Sequence, residues 1–394
     1  MKSNNNKRFI LSGGGTGGHI FPAVAIAKEL VLRYGENTEI LFVGALGKME
    51  MTKIPDAGFQ IVGLPVEGLQ RSLSPKNISV LFKAILSIFK SRNIIKEFKP
   101  DAVIGTGGYV SLPVCFMASR MQIPVILQEQ NGFAGLTNKA VGPKASIVCT
   151  GFPDMQKFFP KGNWVFTGNP VRDAIIKTGI AVQNSEGKEQ LVQEASKKWG
   201  LNPKSTATLF ITGGSLGART INETILKHLP QLLMGNIQII WQTGERFWNS
   251  HQSEITTQIN QVHQQGTTTP IYVSPFIDSM EIAMAMADVV VSRAGAITLS
   301  EIAIIGTPAI LVPSPNVTDD HQTKNAQVFS GVNAATVVAD QECSQKLYNS
   351  IIDLINDTQK RETFKENLQK LAKPKATVTI VDQIDQILNK SSHA

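Results

Sequence analysis

A histidine that directly follows a glycine run is the first group in the sequence that could do chemistry. His19 comes after residues 13–18, five of which are glycine, and the run stands between a predicted strand at residues 8–11 and a predicted helix at residues 22–34. Glycines let a ligand approach the backbone, and the amides that open a helix favour phosphate groups. Imidazole suits general-base catalysis near neutral pH. The pattern favours a base beside a phosphate-binding loop; the alternative is a tight turn with a structural histidine.

The same run matches the dinucleotide-binding fingerprint, because Gly13, Gly15 and Gly18 have its spacing. That fingerprint expects an acidic residue at the end of the second strand, where it would hold the ribose of the cofactor. Here the second predicted strand, residues 39–43, ends in Phe-Val and is followed by Gly44. The sequence therefore argues against NAD, and no cofactor is expected.

Two more glycine loops, residues 105–109 and 213–218, also follow predicted strands and precede predicted helices. Three such loops, spread over both halves of the chain, predict two phosphorylated substrates. In the second half, residues 292–301 run from a strand into a helix, and Glu301 could accept both hydroxyls of a ribose. Alternatively, Thr298 or Ser300 caps that helix and Glu301 only favours its dipole. The residues alone leave both interpretations open.

Composition narrows the classes of partner. Lys and Arg number 38 against 31 Asp and Glu, so the net positive charge admits anionic partners. Only 7% of residues are aromatic, so we do not expect nucleic-acid binding. The three cysteines are too few and too scattered for a disulfide framework. The N-terminal apolar run is too short for a signal peptide, and we find no metal-ligand cluster and no carboxylate pair for a metal.

Short apolar runs alternate with amphipathic stretches, which predicts an α/β chain with parallel sheets. Because the pattern of strand, glycine loop and helix restarts at residue 208, two Rossmann-like halves with a junction near residues 168–172 are expected. A polar stretch at residues 179–205 predicts a peripheral helix and loop. The predicted strands are residues 8–11, 39–43, 102–105, 125–128, 146–149, 208–212, 237–242, 271–273, 289–292, 309–312 and 336–338.

Taken together, the motifs resemble the MurG family of glycosyltransferases, which transfer N-acetylglucosamine (GlcNAc) from UDP-GlcNAc to lipid I and so form lipid II for peptidoglycan. The resemblance covers nearly the whole chain. It rests on the segments GGGTGGHIFPAVAIA (13–27), GTGGYVSLPV (105–114), EQNGFAGLTNK (129–139), GNPVR (168–172), GGSLGARTIN (213–222), SRAGAITLSEIAIIGTPAILVPSP (292–315) and DDHQTKNA (319–326).

The resemblance implies a GT-B architecture, in which two Rossmann-like domains face a central cleft. Residues 1–170, joined by a C-terminal helix at 376–394, would be the acceptor and membrane-facing domain, and residues 171–375 would bind UDP-GlcNAc. It implies inverting transfer to the 4-hydroxyl of MurNAc at the cytoplasmic face of the inner membrane, without a metal. Its implied partners are UDP-GlcNAc, undecaprenyl-pyrophosphate-linked lipid I, an anionic membrane surface, and proteins of cell-wall synthesis and division.

Carried over motif by motif, the resemblance assigns the base to His19, with Glu129 as the other catalytic candidate. The family often has a histidine where this chain has Gln128, so a histidine there cannot be essential here. The implied donor residues are Thr16, Gly17, Gly18, Asn131, Arg172, Ser215, Ile277, Ala296, Ile297, Thr298, Leu299, Ser300, Glu301 and Gln322, with Glu301 at the ribose and Ile277 at the uracil. The implied acceptor residues are Gly14, Gly15, Gly107, Gly108, Tyr109 and Asn138.

A predicted helix at residues 77–98 carries apolar residues with basic residues between them. Such a helix could lie on an anionic surface, or it could be an ordinary core helix whose lysines extend to solvent. The lipid-linked acceptor favours the first interpretation. The expected membrane contacts are Ile78, Leu81, Phe82, Ile85 and Phe89.

Overall fold

The computed structural model describes residues 7–35, 37–68, 76–202, 207–317 and 320–391. The chain divides into two compact units, residues 1–171 with 373–394 and residues 172–372. Each unit is built on a parallel sheet. The strands of the first unit are β1 (Arg8–Gly13), β2 (Glu39–Ala45), β3 (Gln60–Leu64), β4 (Ala102–Gly107), β5 (Val125–Glu129), β6 (Ile147–Thr150) and β7 (Trp164–Phe166). Those of the second are β8 (Ala207–Thr212), β9 (Ile237–Gln242), β10 (Ile271–Ser274), β11 (Val289–Ser292), β12 (Ala309–Leu311) and β13 (Ala335–Val337).

The helices follow the strands in alternation. Those of the first unit are α1 (Gly17–Tyr34), α2 (Glu50–Asp56), α3 (Lys76–Phe98), α4 (Ser111–Arg120), α5 (Leu136–Val141) and, at the end of the chain, α15 (Ala376–Ser391). Those of the second are α6 (Asp173–Ala181), α7 (Ser185–Trp199), α8 (Arg219–Met234), α9 (Glu245–Gln264), α10 (Met280–Met286), α11 (Ala296–Ile305), α12 (His321–Gly331), α13 (Cys343–Asn356) and α14 (Thr358–Leu371).

The two sheets share one strand order. The first is β3-β2-β1-β4-β5-β6-β7 and the second is β10-β9-β8-β11-β12-β13. In both, the order reverses beside the first strand, so β1 lies next to β4 and β8 lies next to β11. Ligands of such sheets bind at this switch point, beyond the carboxyl ends of the strands. The loops at residues 13–16 and 107–110, and those at 213–218 and 293–295, therefore occupy the ligand-binding ends of their sheets.

Helices cover both faces of the first sheet. Phe9 and Leu11 of β1 pack in one core cluster with residues of α1 and α15, whereas Ile10 packs in another with residues of α3 and α4. Helix α15 is also tied to α1 by Arg33, which bonds to Asp382 and Asp385. Within the described ranges, no helix is long and apolar enough to cross a membrane.

The predicted strands are present, with ends shifted by at most two residues, but the sequence analysis missed β3 and β7. The start of the first helix was also wrong. Helix α1 begins at Gly17, five residues before the predicted start at Pro22, and Thr16 is its N-cap. Packing explains the difference, because Ile20, which precedes Pro22, is buried in the core as part of the first turns of the helix. Gly17, Gly18 and His19 therefore form its first turn.

Candidate active site

In the first unit, His19 is held in one orientation by the loop before it. Its Nδ1 lies 2.9 Å from the Gly14 carbonyl oxygen and 3.5 Å from Thr16 Oγ1. A carbonyl can only accept, so Nδ1 carries the proton and donates it to Gly14. The backbone carbonyl of His19 in turn accepts from Thr106 Oγ1 at 2.8 Å. In the neutral ring, Nε2 is left as the acceptor, which is the state that a general base requires.

Glycines allow the first two loops to approach each other closely. A Cβ at Gly108, whose φ is +79°, would lie 2.4 Å from the Gly14 oxygen, and a Cβ at Gly13 would lie 1.9 Å from Thr106 Oγ1. A Cβ at Gly107 would come within 3.1 Å of His19 Nε2. The absence of side chains at these positions therefore sets the place of the imidazole.

Behind the first loop lies Glu50, which the sequence analysis missed. Its side chain is fully buried, and its carboxylate accepts from the amides of Gly15 and Ala45, both at 3.1 Å. An acid does therefore follow the second strand, but it is buried against the glycine loop and is not placed to hold a cofactor ribose. The Gly15 amide is engaged by Glu50 within the protein, so Gly15 does not donate to a diphosphate in this conformation.

The anion-binding capacity of this loop lies at the start of α1. Thr16 makes no side-chain cap, and within the part of the chain that the structure describes the amides of Gly17 and Gly18 have no hydrogen-bond partner. Unpaired amides at a helix N-terminus attract phosphate. Tyr109 lies beside Gly15 and is partly buried. Burial raises the pKa of its hydroxyl, and the charges of Glu50 and Glu67 act in the same direction, so it remains a donor at neutral pH.

Glu129, the second catalytic candidate, organises the loop that follows β5. One carboxylate oxygen accepts from the amide and side chain of Asn131, and the other accepts from the Gly135 amide at 2.9 Å and Asn138 Nδ2 at 2.8 Å. Glu129 and Asn138 are each only 2% exposed. This geometry favours a positioning role for both residues over the predicted catalytic role and acceptor contact.

Gln128 belongs to a chain of buried amides. Its Nε2 donates to Asn169 Oδ1 at 2.9 Å, and its Oε1 accepts from Gln130 Nε2. Gln130 also donates to the Thr106 carbonyl at 2.7 Å, which ties this network to the second glycine loop. Since Gln128 is fully buried, its side chain supports the loops and does not face a substrate.

In the second unit, Glu301 forms an ion pair with Arg172. Arg172 Nε lies 3.1 Å from Glu301 Oε1, and Arg172 Nη1 lies 3.8 Å from Glu281. Burial raises the pKa of the Glu301 carboxyl, and Arg172 opposes that shift. Arg172 is half exposed whereas Glu301 is nearly buried, so the carboxylate needs a partner in place of Arg172 whenever that side chain moves away.

The start of helix α11 bears on the capping alternative for residues 292–301. Helix α11 has Gly295 as its N-cap with no side-chain cap, and the Ser300 hydroxyl donates back to the Ala296 carbonyl. The Leu299 amide bonds to Gly295, as the α-helical pattern requires. The amides of Ala296, Ile297 and Thr298 lie in the first turn of α11, where amides lack an acceptor within the helix and anions are favoured.

Gln242, at the end of β9, links the third glycine loop to Ile277. Its Nε2 donates to the Gly214 carbonyl at 3.0 Å and to Thr212 Oγ1 at 3.2 Å, while its Oε1 accepts from the Ile277 amide at 2.9 Å. The Ile277 amide is thus engaged within the protein, and only its carbonyl can contact a base without breaking a bond. Ser215 lies exposed in the turn.

Gln322 is held by its oxygen. Its Oε1 accepts from the amides of Ala294 at 3.2 Å and Ser314 at 2.9 Å, which leaves Nε2 as the end that can donate to a sugar hydroxyl.

Sequence reasoning missed Glu50, Thr106, Gln130 and Gln242, because no spacing rule connects them to the loops that they hold. Among the described residues, no three His, Cys, Asp or Glu side chains come together as metal ligands.

Helix α3 exposes one apolar face. Phe82 is 63% exposed, Ile85 45%, Leu86 37% and Phe89 62%, and their spacing places them on one side of the helix. The opposite side buries Ser87 and Ser91. The same helix also contributes Val80 and Ile95 to the buried interior, so it combines a core-facing side with an exposed apolar face. The side chains of the other two predicted contacts, Ile78 and Leu81, lie outside the described residues.

Family models identify both halves of the chain. Residues 9–150 match the N-terminal domain of glycosyltransferase family 28, and residues 208–380 match its C-terminal domain. The chain belongs to glycosyltransferase family 28. It is therefore an enzyme of the glycosyltransferase class with two Rossmann-like domains of GT-B type, and the predicted fold class is confirmed.

Relatives refine the place of the chain within family 28. A Cytophaga hutchinsonii protein named UDP-N-acetylglucosamine–N-acetylmuramyl-(pentapeptide) pyrophosphoryl-undecaprenol N-acetylglucosamine transferase is 44% identical over 97% of both chains. A Bacteroides fragilis protein of the same name is 43% identical over 99% of this chain and 100% of its own. The crystal structure of Acinetobacter baumannii MurG is 29% identical, with a TM-score of 0.75 over 96% of this chain and 99% of that one. The resemblance to the MurG family is confirmed.

Proposed function

We propose that this chain transfers GlcNAc from UDP-GlcNAc to the 4-hydroxyl of MurNAc in lipid I, with inversion at the anomeric carbon, and so forms lipid II for peptidoglycan. The observation that carries the proposal is the fixed imidazole of His19, whose Nδ1 donates to Gly14 and leaves Nε2 as an acceptor between two glycine loops. The names of relatives above 40% identity support the two substrates.

The second unit would hold the donor. The amides of Ala296, Ile297 and Thr298 and the turn at Ser215 would face the diphosphate, and Glu301 would accept the ribose hydroxyls once Arg172 turns to the nucleotide. The Ile277 carbonyl would contact the uracil, and Gln322 Nε2 would donate to the sugar. Negative charge grows on the leaving UDP, and the N-terminus of α11 is oriented to stabilise it.

The first unit would hold the acceptor. The amides of Gly17 and Gly18, together with the Tyr109 hydroxyl, are suited to the acceptor diphosphate or to the transferred sugar. His19 Nε2 would take the proton from the 4-hydroxyl as its oxygen bonds to the anomeric carbon of GlcNAc and the bond to UDP breaks. Glu129 and Asn138 would keep the neighbouring Asn131 loop in place.

The membrane contact of this proposal rests on α3. We infer that the protein binds peripherally to the cytoplasmic face of the inner membrane, where it would reach the lipid-linked acceptor. The exposed face of Phe82, Ile85, Leu86 and Phe89, followed by exposed Lys90, Arg92 and Lys96, combines apolar area with positive charge, which anionic lipid surfaces favour. Contact with cell-wall synthesis and division proteins stays an expectation of the family resemblance.

Transfer is tested with radiolabelled UDP-GlcNAc and a lipid I analogue, scoring label in the lipid product. The proposal expects lipid-soluble label that requires both substrates. A change in the UDP-sugar without any acceptor would instead indicate an epimerase. Binding of UDP-GlcNAc without turnover would indicate a nucleotide-sugar-binding protein, and either result would contradict the proposal.

Membrane binding is tested by sedimentation with vesicles that contain anionic phospholipid. Replacing Phe82 and Phe89 by Ser is expected to weaken binding at least about tenfold, because each removes a large exposed apolar side chain. Leu32→Ser is the matched control, since Leu32 is 79% exposed on α1, away from this helix. Equal binding by the α3 variant and the control would argue against this face.

A further inference from the structure

The buried carboxylate of Glu50 has no role in the reaction described above, although it lies directly behind the first glycine loop. A carboxylate is unfavourable in a protein interior unless its oxygens are hydrogen-bonded. Both Glu50 oxygens are: Oε1 accepts from the Ala45 amide and Oε2 from the Gly15 amide, each at 3.1 Å. The side chain therefore bridges the end of β2 and the loop after β1.

Two glycines make room for this carboxylate. A Cβ at Gly14 would lie 2.1 Å from Glu50 Oε1, and a Cβ at Gly44 would lie 2.7 Å from Glu50 Cγ. Neither residue has a positive φ, so space, and not backbone conformation, explains why glycine suits these positions. Part of the glycine richness of the first loop thus accommodates an acid and not a ligand.

One peptide group connects Glu50 to His19. The Gly15 N–H that Glu50 accepts and the Gly14 carbonyl that accepts from His19 Nδ1 at 2.9 Å belong to the same planar peptide unit. Fixing the N–H end therefore fixes the direction of the carbonyl. A negative charge at the N–H end also polarises the peptide and strengthens its oxygen as an acceptor.

We propose that Glu50 is a positioning residue for the reaction, acting on His19 through the Gly14–Gly15 peptide. It holds the imidazole in the orientation and tautomer that leave Nε2 as the base, much as the aspartate of a hydrolase triad orients its histidine by direct contact. This inference rests on the proposed role of His19 in transfer.

The test is a double-mutant cycle on the full chain with Glu50→Gln and His19→Ala, using radiolabelled UDP-GlcNAc and a lipid I analogue. The Gly15 and Ala45 amides donate to different oxygens of Glu50, and in Gln one of these oxygens becomes an NH2 group, which donates and cannot accept. Gln also carries no charge. We expect Glu50→Gln to lower kcat by about 100-fold, the cost of a small displacement of a reacting group, with the KM for UDP-GlcNAc within about threefold of the parent. In the His19→Ala background the same change should have almost no further effect.

Asp56→Asn is the matched control, because it removes an exposed carboxylate from the same helix and should leave kcat unchanged. The cycle is run in parallel with Glu50→Asp, which keeps the charge but is too short to reach both amides, so that the result does not depend on the folding of one variant. Normal kcat in both Glu50 variants, or an equal loss with and without His19, would overturn the inference. Absence of transfer by the unmodified chain would instead overturn the proposed function.

Discussion

The two units have the same strand order, but they hold their first glycine loops with different chemical groups. In the first unit the carboxylate of Glu50 accepts from the Gly15 amide, whereas in the second the carboxamide of Gln242 donates to the Gly214 carbonyl. Both residues lie at or just after the second strand of their sheet. A carboxylate adds a negative charge that can orient a base, and a carboxamide leaves the loop neutral for a nucleotide diphosphate. The difference fits our proposal that the first unit carries the catalytic base and the second binds the donor.

Closing the space between the first two loops should have the largest effect. Gly108→Ala places a Cβ 2.4 Å from the Gly14 oxygen, at a φ of +79°, and so displaces the carbonyl that orients His19. We expect kcat to fall on the order of 1,000-fold while the affinity for UDP-GlcNAc stays unchanged, as measured by transfer assay and calorimetry. Gly58→Ala is the control, since its φ is +88° but no atom lies within 4 Å. A parallel loss of donor affinity would contradict the proposal that the first unit acts on the chemical step and not on the donor.

Removing the carboxylate of the second unit should act on binding. Glu301→Gln loses the charged acceptor of the ribose hydroxyls, and we expect the Kd for UDP-GlcNAc to rise about 100-fold. Glu254→Gln, which changes an exposed carboxylate on α9, is the control. If calorimetry gave an unchanged Kd, Glu301 would not contact the ribose.

Replacing the Gln242 carboxamide by a carboxylate tests whether the neutral group matters for donor binding. Gln242→Glu gives the second unit the carboxylate that the first unit uses, and it removes the donor to Gly214 and Thr212. We expect about tenfold weaker UDP binding, because the loop loses its bond and a negative charge comes near the diphosphate. Tighter or equal binding would mean that the neutral amide has no importance for the donor.

The smallest expected effect is on pH dependence. Since burial raises the pKa of Glu301, its carboxylate should begin to protonate at a pH above the ordinary range for Glu, and donor affinity should decline there by a few-fold as pH falls. Arg172→Ala removes the opposing cation and should move this decline to higher pH. A raised pKa means that the folded state binds the proton more tightly, so this group favours folding at low pH and that contribution is lost as pH rises. Calorimetric titration of UDP-GlcNAc binding at several pH values gives the midpoint of the decline in donor affinity. An unchanged midpoint in Arg172→Ala would contradict the ion pair.

The long buried strands could be predicted from the sequence, because β1, β8 and β9 each contain three consecutive apolar residues followed by a polar strand end. The edge strands β3 and β7 could not: β3 is only partly buried, and β7 has three residues. In the sites, glycine loops and Glu301 stand out by their position after strands. Glu50 and Gln242 also lie at or just after strands, but each holds the loop that follows the neighbouring strand, and only the strand pairing reveals that contact.

The central claim is that His19 serves the chemical step and not the donor. The most direct test is the turnover of His19→Ala at saturating UDP-GlcNAc, with the donor Kd measured on the same preparation. We expect a kcat at least about 100-fold below that of the unmodified chain and a Kd within about twofold of it. A near-normal kcat, or a Kd that rises in proportion to the loss of turnover, would contradict it.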